Sequence, residues 1–532
     1  MLKHFLSITI FLPALFGLFL FFIPQSKTRF LKFVSLNGSI LTFLMTLGIL
    51  CYFTGTAEVQ FVEKYSWIPL FGVSYFIGID GLSLYLFILT SFLTPLVLLY
   101  VSPEEKKLKP FLILILFLET AMLGTFAALD LILFYIFWEA MLIPMYFMIG
   151  VWGGEERLYA TIKFLLYTIL GSFLMLVALI ALVMIHHSTT GVFTTNLLKL
   201  YGTPLGSLEM WLFLGFALAF LIKVPLFPFH TWLPDAHVQA PTEGSVILAG
   251  ILLKMGMYGL FRFALPLFPQ ASMAVTPYVV TLALIGIIYG AFLAWAQKDL
   301  KKLVAYSSVS HLGYAVLGLF VLNHTGVTGS LVQNISHGLA TGALFFIVGM
   351  IYKRTHTKKI EELGGLASSC PKLFFFFLIA TLASIGLPLT SGFVGEILCL
   401  FGAFQEYGVQ GFAWGGETLI NIRNIIFGTV GILGVLMGAI YMLNMFQKVM
   451  FGKPKFEDLK DLEWKEVLVL TPLIIMIFSI GVYPKLLTNK MENSIDHLVK
   501  NVYKYSLTTL SFPPEALGTS GNPESEATSK KD

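Results

Sequence analysis

Eight ionisable side chains stand in stretches of this 532-residue sequence that are otherwise almost uncharged: Glu119, Glu139, Lys163, Lys223, Lys254, His311, His337 and Glu396. If those stretches cross a bilayer, each charge costs roughly 2.5–3.5 kcal/mol at mid-depth, so residues that persist there call for a use. The chemistry such a set can do is proton exchange. A lysine in low dielectric drops from about 10.4 toward neutrality and a glutamate rises from about 4.3, and a nearby opposite charge reverses each shift. Moving Glu139 toward or away from Lys223 therefore switches the lysine between holding and releasing its proton. Histidine needs little perturbation to carry protons between such groups.

The eight are not equivalent. Glu139 in Ile136-Phe-Trp-Glu-Ala, Lys223 in Phe220-Leu-Ile-Lys-Val-Pro, Lys254 in Ile251-Leu-Leu-Lys-Met and Glu396 have apolar neighbours on both sides. Snorkelling to the interface is hardly open to them. Lys163 lies near a helix start and reads equally as a snorkelling lysine. Glu119, beside Thr120, reads equally as a locally satisfied carboxylate. His311, after Ser307-Ser-Val-Ser, and His337, between Ser336 and Gly338, each also fit a hydrogen-bonded packing role taken singly.

The elements that must position these groups follow from composition. Lys+Arg number 34 and Asp+Glu 30, 12% together, against roughly 25% in an ordinary soluble domain. Hydrophobic residues make up 57%, Phe alone contributes 50, and the mean hydropathy is +0.83. This reads as an all-α polytopic membrane protein, and the composition excludes a disordered chain, a nucleic-acid binder and a disulfide scaffold. Cys51, Cys370 and Cys399 are too few and too scattered for an iron–sulfur or zinc site. No nucleotide-binding glycine motif occurs.

On a template of about 20 apolar residues per span, the chain holds about fourteen. They cover 5–24, 30–54, 78–102, 110–128, 130–150, 159–187, 207–238, 244–265, 276–297, 302–323, 327–353, 373–402, 424–452 and 465–488. The first resembles a signal-peptide core but lacks a small-residue cleavage site, so it is kept as a helix. Most odd-numbered loops are basic, among them Lys27, Arg29 and Lys32; Lys106, Lys107 and Lys109; Lys298, Lys301 and Lys302. That alternation puts odd loops in the cytoplasm and both termini on the other side. Residues 489–508 have the pattern of an amphipathic interfacial helix, and Ser511 to Asp532 that of a disordered tail.

Prolines interrupt two spans. Pro225 and Pro228 follow Lys223, and Pro388 and Gly392 precede Glu396. Proline breaks the helical ladder, and freed backbone at membrane depth is tolerated only inside protein or beside wet cavities. Two broken helices five spans apart match the inverted repeats of transporters. The chain thus divides into an N-terminal segment (1–109), two halves (110–265 and 276–452), a last span (465–488) and a polar tail (489–532). Ordinary kinked helices remain the plain alternative.

The block Phe229-His-Thr-Trp-Leu-Pro-Asp-Ala-His-Val-Gln-Ala-Pro-Thr-Glu-Gly-Ser-Val-Ile-Leu-Ala-Gly-Ile-Leu-Leu-Lys closely resembles the signature of the antiporter-like subunits of respiratory complex I. So do Trp138-Glu-Ala-Met-Leu-Ile-Pro-Met-Tyr, Ser307-Ser-Val-Ser-His-Leu-Gly and Ile335-Ser-His-Gly-Leu, and the likeness covers nearly the whole chain. The resemblance implies fourteen helices, two inverted five-helix repeats and two discontinuous helices. It also implies proton pumping driven by quinone reduction elsewhere in the complex. By motif, Glu139 becomes the acidic partner, Lys223 the switching lysine, Lys254 the central connector, His311 and His337 the axis, and Glu396 its far end. Lys163 is a possible modulator, and Glu119 matches no family motif. A terminal Glu, rather than Lys, favours the chain 4 (subunit M) branch, and the absence of a long lateral helix argues against chain 5.

The resemblance implies no cofactor in this chain, FMN and iron–sulfur clusters in other subunits, and quinone as the substrate of the complex. It implies other membrane-arm subunits as partners, including two antiporter-like paralogues, with the lipid bilayer and no nucleic acid. Val238-Gln-Ala-Pro-Thr-Glu-Gly-Ser favours a bacterial plasma membrane over a thylakoid. A cation/proton antiporter of the Mrp type, which shares the motifs, is the competing reading, and a scaffold that pumps nothing is a third.

Overall fold

The computed structural model describes residues 4–405, 416–456 and 459–507, with the side chains of 416–423 and 505–507 left aside. In chain order the main elements are α1 (Phe5–Leu20), α2 (Thr28–Tyr52), β1 (Gln60–Ile68), β2 (Val73–Ile79), α3 (Leu84–Tyr100), α4 (Leu108–Ala127), α5 (Leu131–Trp152) and α6 (Arg157–Thr190). Then come α7 (Glu209–Lys223), α8 (Trp232–Gln239), α9 (Thr242–Leu267), α10 (Pro269–Trp295), α11 (Leu300–Phe320) and α12 (His324–Thr355). The chain ends in α13 (Pro371–Ile385), α14 (Ser391–Phe404), α15 (Gly416–Met450), α16 (Trp464–Val482) and α17 (Lys485–Leu507). Among the described residues, eleven helices are long and apolar enough to cross a membrane, and four shorter apolar helices accompany them. This is a multi-pass membrane protein.

Burial sorts the helices into an inner and an outer set. The most hydropathic stretches of α9, α11 and α12 are almost wholly enclosed, whereas well over half of the corresponding stretch in α2 and α15 faces outward. The rim helices are at least as apolar as the enclosed ones although much of their surface is not buried, which is the arrangement expected where the surroundings are lipid. Three of the ionisable groups singled out above, Lys254, His311 and His337, ride on this inner set. That is where a charged group can find partners instead of hydrocarbon.

The all-helical expectation needs one correction. Residues 60–79, read as loop and the start of a span, form an antiparallel hairpin with Lys64 opposite Phe76 and Tyr65 opposite Tyr75. Phe, Val, Tyr, Trp and Ile in Gln60-Phe-Val-Glu-Lys-Tyr-Ser-Trp-Ile supply the strand formers. Gly72 closes the turn at φ +64, and a Cβ there would stand 2.1 Å from the Phe193 carbonyl oxygen. Only glycine fits. The third span consequently begins at Leu84, not residue 78.

Asp130 joins the hairpin to the bundle. Its buried carboxylate caps α5 by accepting from the Ile132 and Leu133 amides, and also accepts from the Ser74 amide and hydroxyl and, at 2.5 Å, from the Thr195 hydroxyl. The helix dipole and five donors stabilise a carboxylate that has no cation within salt-bridge distance among the described residues.

The amphipathic segment expected at 489–508 starts earlier, at Lys485, and packs on the bundle. Leu487, Met491, Ile495, Leu498 and Val502 are buried, and Lys490 Nζ donates to the Leu50 and Phe53 carbonyls at the end of α2. The tail from 511 lies outside the described residues.

Candidate functional site: a buried file of ionisable side chains

Both expected helix breaks exist. α7 stops at Lys223, an irregular stretch runs to Thr231, and α8 resumes at Trp232. The freed backbone is satisfied: Trp232 Nε1 donates to the Ile222 carbonyl at 3.0 Å and the Leu226 amide to that of Leu221 at 3.0 Å. Between α13 and α14 the Leu387 amide bonds the Leu382 carbonyl, and Ser336 Oγ donates to the Ser391 carbonyl at 2.8 Å. Irregular backbone at this depth is thus enclosed by protein.

The second break meets the longest polar file. Gly386 turns the chain at φ +79, and a Cβ on it would lie 2.9 Å from Glu396 Oε2. Glu396 Oε1 receives His311 Nδ1 at 2.8 Å and Gln333 Nε2 at 3.2 Å. His311 Nε2 stands 3.3 Å from both the Ser384 and the Tyr441 hydroxyls. The His311 and His337 rings are 6.1 Å apart between centroids. His337 Nδ1 lies 2.6 Å from Lys254 Nζ, whose other hydrogen bond goes to the Ala249 carbonyl. A small cavity lined by His311, Gln333, Ser336, His337, Ser384 and Glu396 has room for about one water molecule.

Local backbone makes the Lys254–His337 approach possible. Residues Leu248–Leu252 of α9 are wound as a π-helix, which often marks a functional site. Gly338 of α12 sits so close that a Cβ would be 2.8 Å from the Gly250 carbonyl oxygen and 3.6 Å from Lys254 Cε. The two helices touch through glycine, and the lysine crosses to the histidine over that contact.

Glu139 and Lys223 form a separate pair. Lys223, the last residue of α7, is buried and lies 5.5 Å from the ring centroids of both Trp138 and Phe164. Its ammonium has no hydrogen-bond partner among the described residues, and neither does Glu139 Oε1. No ion pair within 4.0 Å joins them there, although each lies in the other's electrostatic reach. The cation rests on two aromatic faces and a helix C-terminus, both favourable to positive charge. No described contact links this pair directly to Lys254.

Lys163 binds Asp235 of α8 at 2.6 Å and is partly exposed, so it joins α6 to the half-helix beyond the first break. Glu119 stands apart on α4, buried, with Ser39 Oγ at 3.1 Å and its other oxygen without a partner among the described residues. Sequence reasoning passed over Asp235, His237, Gln333 and Tyr441. Gln333 lies one helical turn before His337 and was findable by spacing. Asp235 and His237 were in view inside the quoted motif. Tyr441 carried no local signal. Lys301, read as a loop charge that sets orientation, is buried at 4% exposure.

The family profile described as "NADH:quinone oxidoreductase/Mrp antiporter, TM" matches residues 128–421, which hold every group of the file but Tyr441. The chain belongs to this family. It is 43% identical over 537 residues to "NADH-quinone oxidoreductase subunit M" of Rhodobacter capsulatus, covering 98% of this chain and 100% of the relative. It is 41% identical over 514 residues to "NADH-ubiquinone oxidoreductase chain 4" of Arabidopsis thaliana, covering 94% and 99%. Among solved structures, a chain of "Respiratory complex I from Thermus thermophilus with bound NADH" superposes with TM-score 0.82 at 34% identity, over 93% of this chain and 99% of that one. A chain of the "Mrp complex from Dietzia sp. DQ12-45-1b" shares the fold of this antiporter family at TM-score 0.80 and 18% identity, over 95% and 99%.

Proposed function

We infer that this chain is a proton-translocating membrane subunit of an NADH:quinone oxidoreductase, moving protons through its buried Glu, Lys and His side chains. It carries no redox centre of its own in this reading; FMN and iron–sulfur clusters sit in other subunits, and quinone is reduced elsewhere. The observation that carries the reading is the buried file from Lys254 through His337 and His311 to Glu396, every member of which can take or give a proton. End-to-end likeness to subunit M relatives above 40% identity favours it over an Mrp antiporter, where the likeness is 18%.

In this reading the bundle has fourteen spans, α7 with α8 and α13 with α14 each counting as one broken span. Residues 110–265 and 276–452 are halves related by inversion, flanked by 1–109, the span at 465–488 and the tail 489–532. The basic loops face the cytoplasm of a bacterial inner membrane, and the partners are other membrane-arm subunits, among them two antiporter-like paralogues. Lys223 is the switching lysine: when Glu139 moves toward it the ammonium is held, and when Glu139 moves away its proton passes on. Lys254 receives that proton and His337, His311 and Glu396 carry it outward. Lys163, paired with Asp235, tunes the first half by holding the segment after the break.

Lys223→Ala in the whole complex is expected to assemble and lose this subunit's share of pumping, read as acidification of proteoliposomes per quinone reduced. Full pumping in that variant overturns the mechanism. Purification in mild detergent separates the family alternatives: flavin and iron–sulfur subunits accompany the chain in an oxidoreductase and are absent from an antiporter.

A further inference from the structure

The file described above begins inside the protein, at Lys254. The half-helix α8 points the other way, toward the face of the basic loops, and its C-terminal end is unusually furnished. Lys301 Nζ donates to the Ala240 carbonyl at 2.6 Å, and Lys358 Nζ reaches the Val238 carbonyl at 3.4 Å. Two cations thus cap the exposed carbonyls of one eight-residue helix, where the dipole favours positive charge. Glu243, in the first turn of α9, is buried at 7% exposure and lies within electrostatic reach of Lys301, of Lys353 on α12 and of Glu105 in the loop before α4. Tyr100 of α3 also faces it.

Between this cluster and the file stands His237, fully buried on α8 and stacked on Phe345 at 4.5 Å between centroids. Both of its ring nitrogens lack a partner among the described residues. Lys301, Lys254 and His337 all lie within its electrostatic reach. A buried imidazole with two unpaired nitrogens costs free energy and so calls for a use, and both lysines are within its reach.

We propose that Glu243 and Lys301 form a gate through which protons reach Lys254 from the face of the basic loops, a second supply beside Lys223, with the Lys301 mooring on Ala240 setting whether the gate passes them. The proposal rests on the reading that the Lys254–Glu396 file carries protons. In the open step the Lys301 ammonium releases one proton to a His237 ring nitrogen, leaving an amine and an imidazolium. The Glu243 carboxyl then gives its proton to that amine and refills from bulk water. The imidazolium passes its proton to the Lys254–His337 pair and returns to neutral. One proton and one charge cross the gate per cycle, and no electron moves. While Lys301 stays bonded to Ala240 the ammonium holds its protons and the gate is closed. Asp299 and Lys358 flank Lys301 and set the local field.

The test uses Lys301→Arg, Lys301→Met and Glu243→Gln in the whole complex, reconstituted in proteoliposomes. Arginine keeps the bond to Ala240 but does not give up a proton. Lys301→Arg is therefore expected to match the native complex in assembly and thermal stability while coupled turnover falls, by up to the roughly hundredfold that marks the lower end for a lost proton-transfer group. Lys301→Met should lose both stability and coupled turnover. Glu243→Gln should lower coupled turnover most on the alkaline side of the pH profile, where protons are scarce, and recover as pH falls. Native coupled turnover in Lys301→Arg, or a Glu243→Gln profile parallel to native, overturns the gate and leaves Lys301 a structural cap. His337→Ala separates the levels: if it loses pumping while Lys301→Arg keeps it, only the gate fails, and if both pump fully, the file itself fails.

Discussion

At the scale of the residue, the balance between a charge and its partners decides most outcomes. Arg354 near the end of α12 holds Glu466 through two bonds of 3.0 and 2.5 Å and also donates to the carbonyls of Lys460 and Asp461. Lysine cannot reproduce that fork. Arg354→Lys is expected to loosen the connection between α12 and α16 by about 1–3 kcal/mol, measured as a lower thermal midpoint of the detergent-solubilised complex. Asp130 is the opposite case, a carboxylate with donors only. Asp130→Ala strands the Ser74 hydroxyl and the α5 amides and leaves the Thr195 hydroxyl only its longer bond to the Gly72 carbonyl, so a loss of at least about 2 kcal/mol is expected by the same measurement. Asp130→Asn should retain part of it. The four best-insulated charges, Glu139, Lys223, Lys254 and Glu396, were legible in the sequence because so few others surround them. Their partners were less so: Tyr441 and Ser384 reach His311 only because the chain folds back on itself from distant positions.

At the scale of the element, glycine and proline position the chemistry. Gly338 lets α12 approach α9 closely enough for Lys254 to reach His337. Gly338→Val is expected to push the helices apart and abolish that contact, with pumping falling and the amount of assembled subunit changing far less. Equal losses of both, measured by pumping assay and native electrophoresis, would make Gly338 a packing residue only. Gly386→Ala places a Cβ in a left-handed conformation and against Glu396, and should cost about 1 kcal/mol or more. The two breaks were predictable from Pro225, Pro228 and Pro388, since the missing donors are written into the sequence. The hairpin was not, because its nine-residue first strand carries Glu63, Lys64 and Ser66 between aromatic residues and looks like any polar loop. Nor was the π-wound stretch of α9, which depends on how neighbouring helices press on it rather than on propensity.

At the scale of the whole molecule, the outermost ends are tied by the last helix described. α17 reaches Leu50 and Phe53 through Lys490, Gly81 through Ser494 and Leu322 through Tyr503. A chain shortened to end at Tyr483 is expected to lose these ties together. The N-terminal spans should then become susceptible to protease before the rest, seen as early cleavage near residues 52–60. The helical bundle was readable from hydropathy, because each span must satisfy the bilayer by itself. How α17 closes over the bundle was not, since an amphipathic helix is as compatible with a lipid surface as with a protein one.

That closure has a bearing on how the chain is made. The carbonyls at the end of α2 lie among the first fifty-odd residues, and the lysine that satisfies them is residue 490. A nascent chain therefore lacks this donor for the end of α2 until Lys490 has been made. Insertion can proceed span by span, yet this tie waits for α17, and a chain that stops before Lys490 leaves the end of α2 without it.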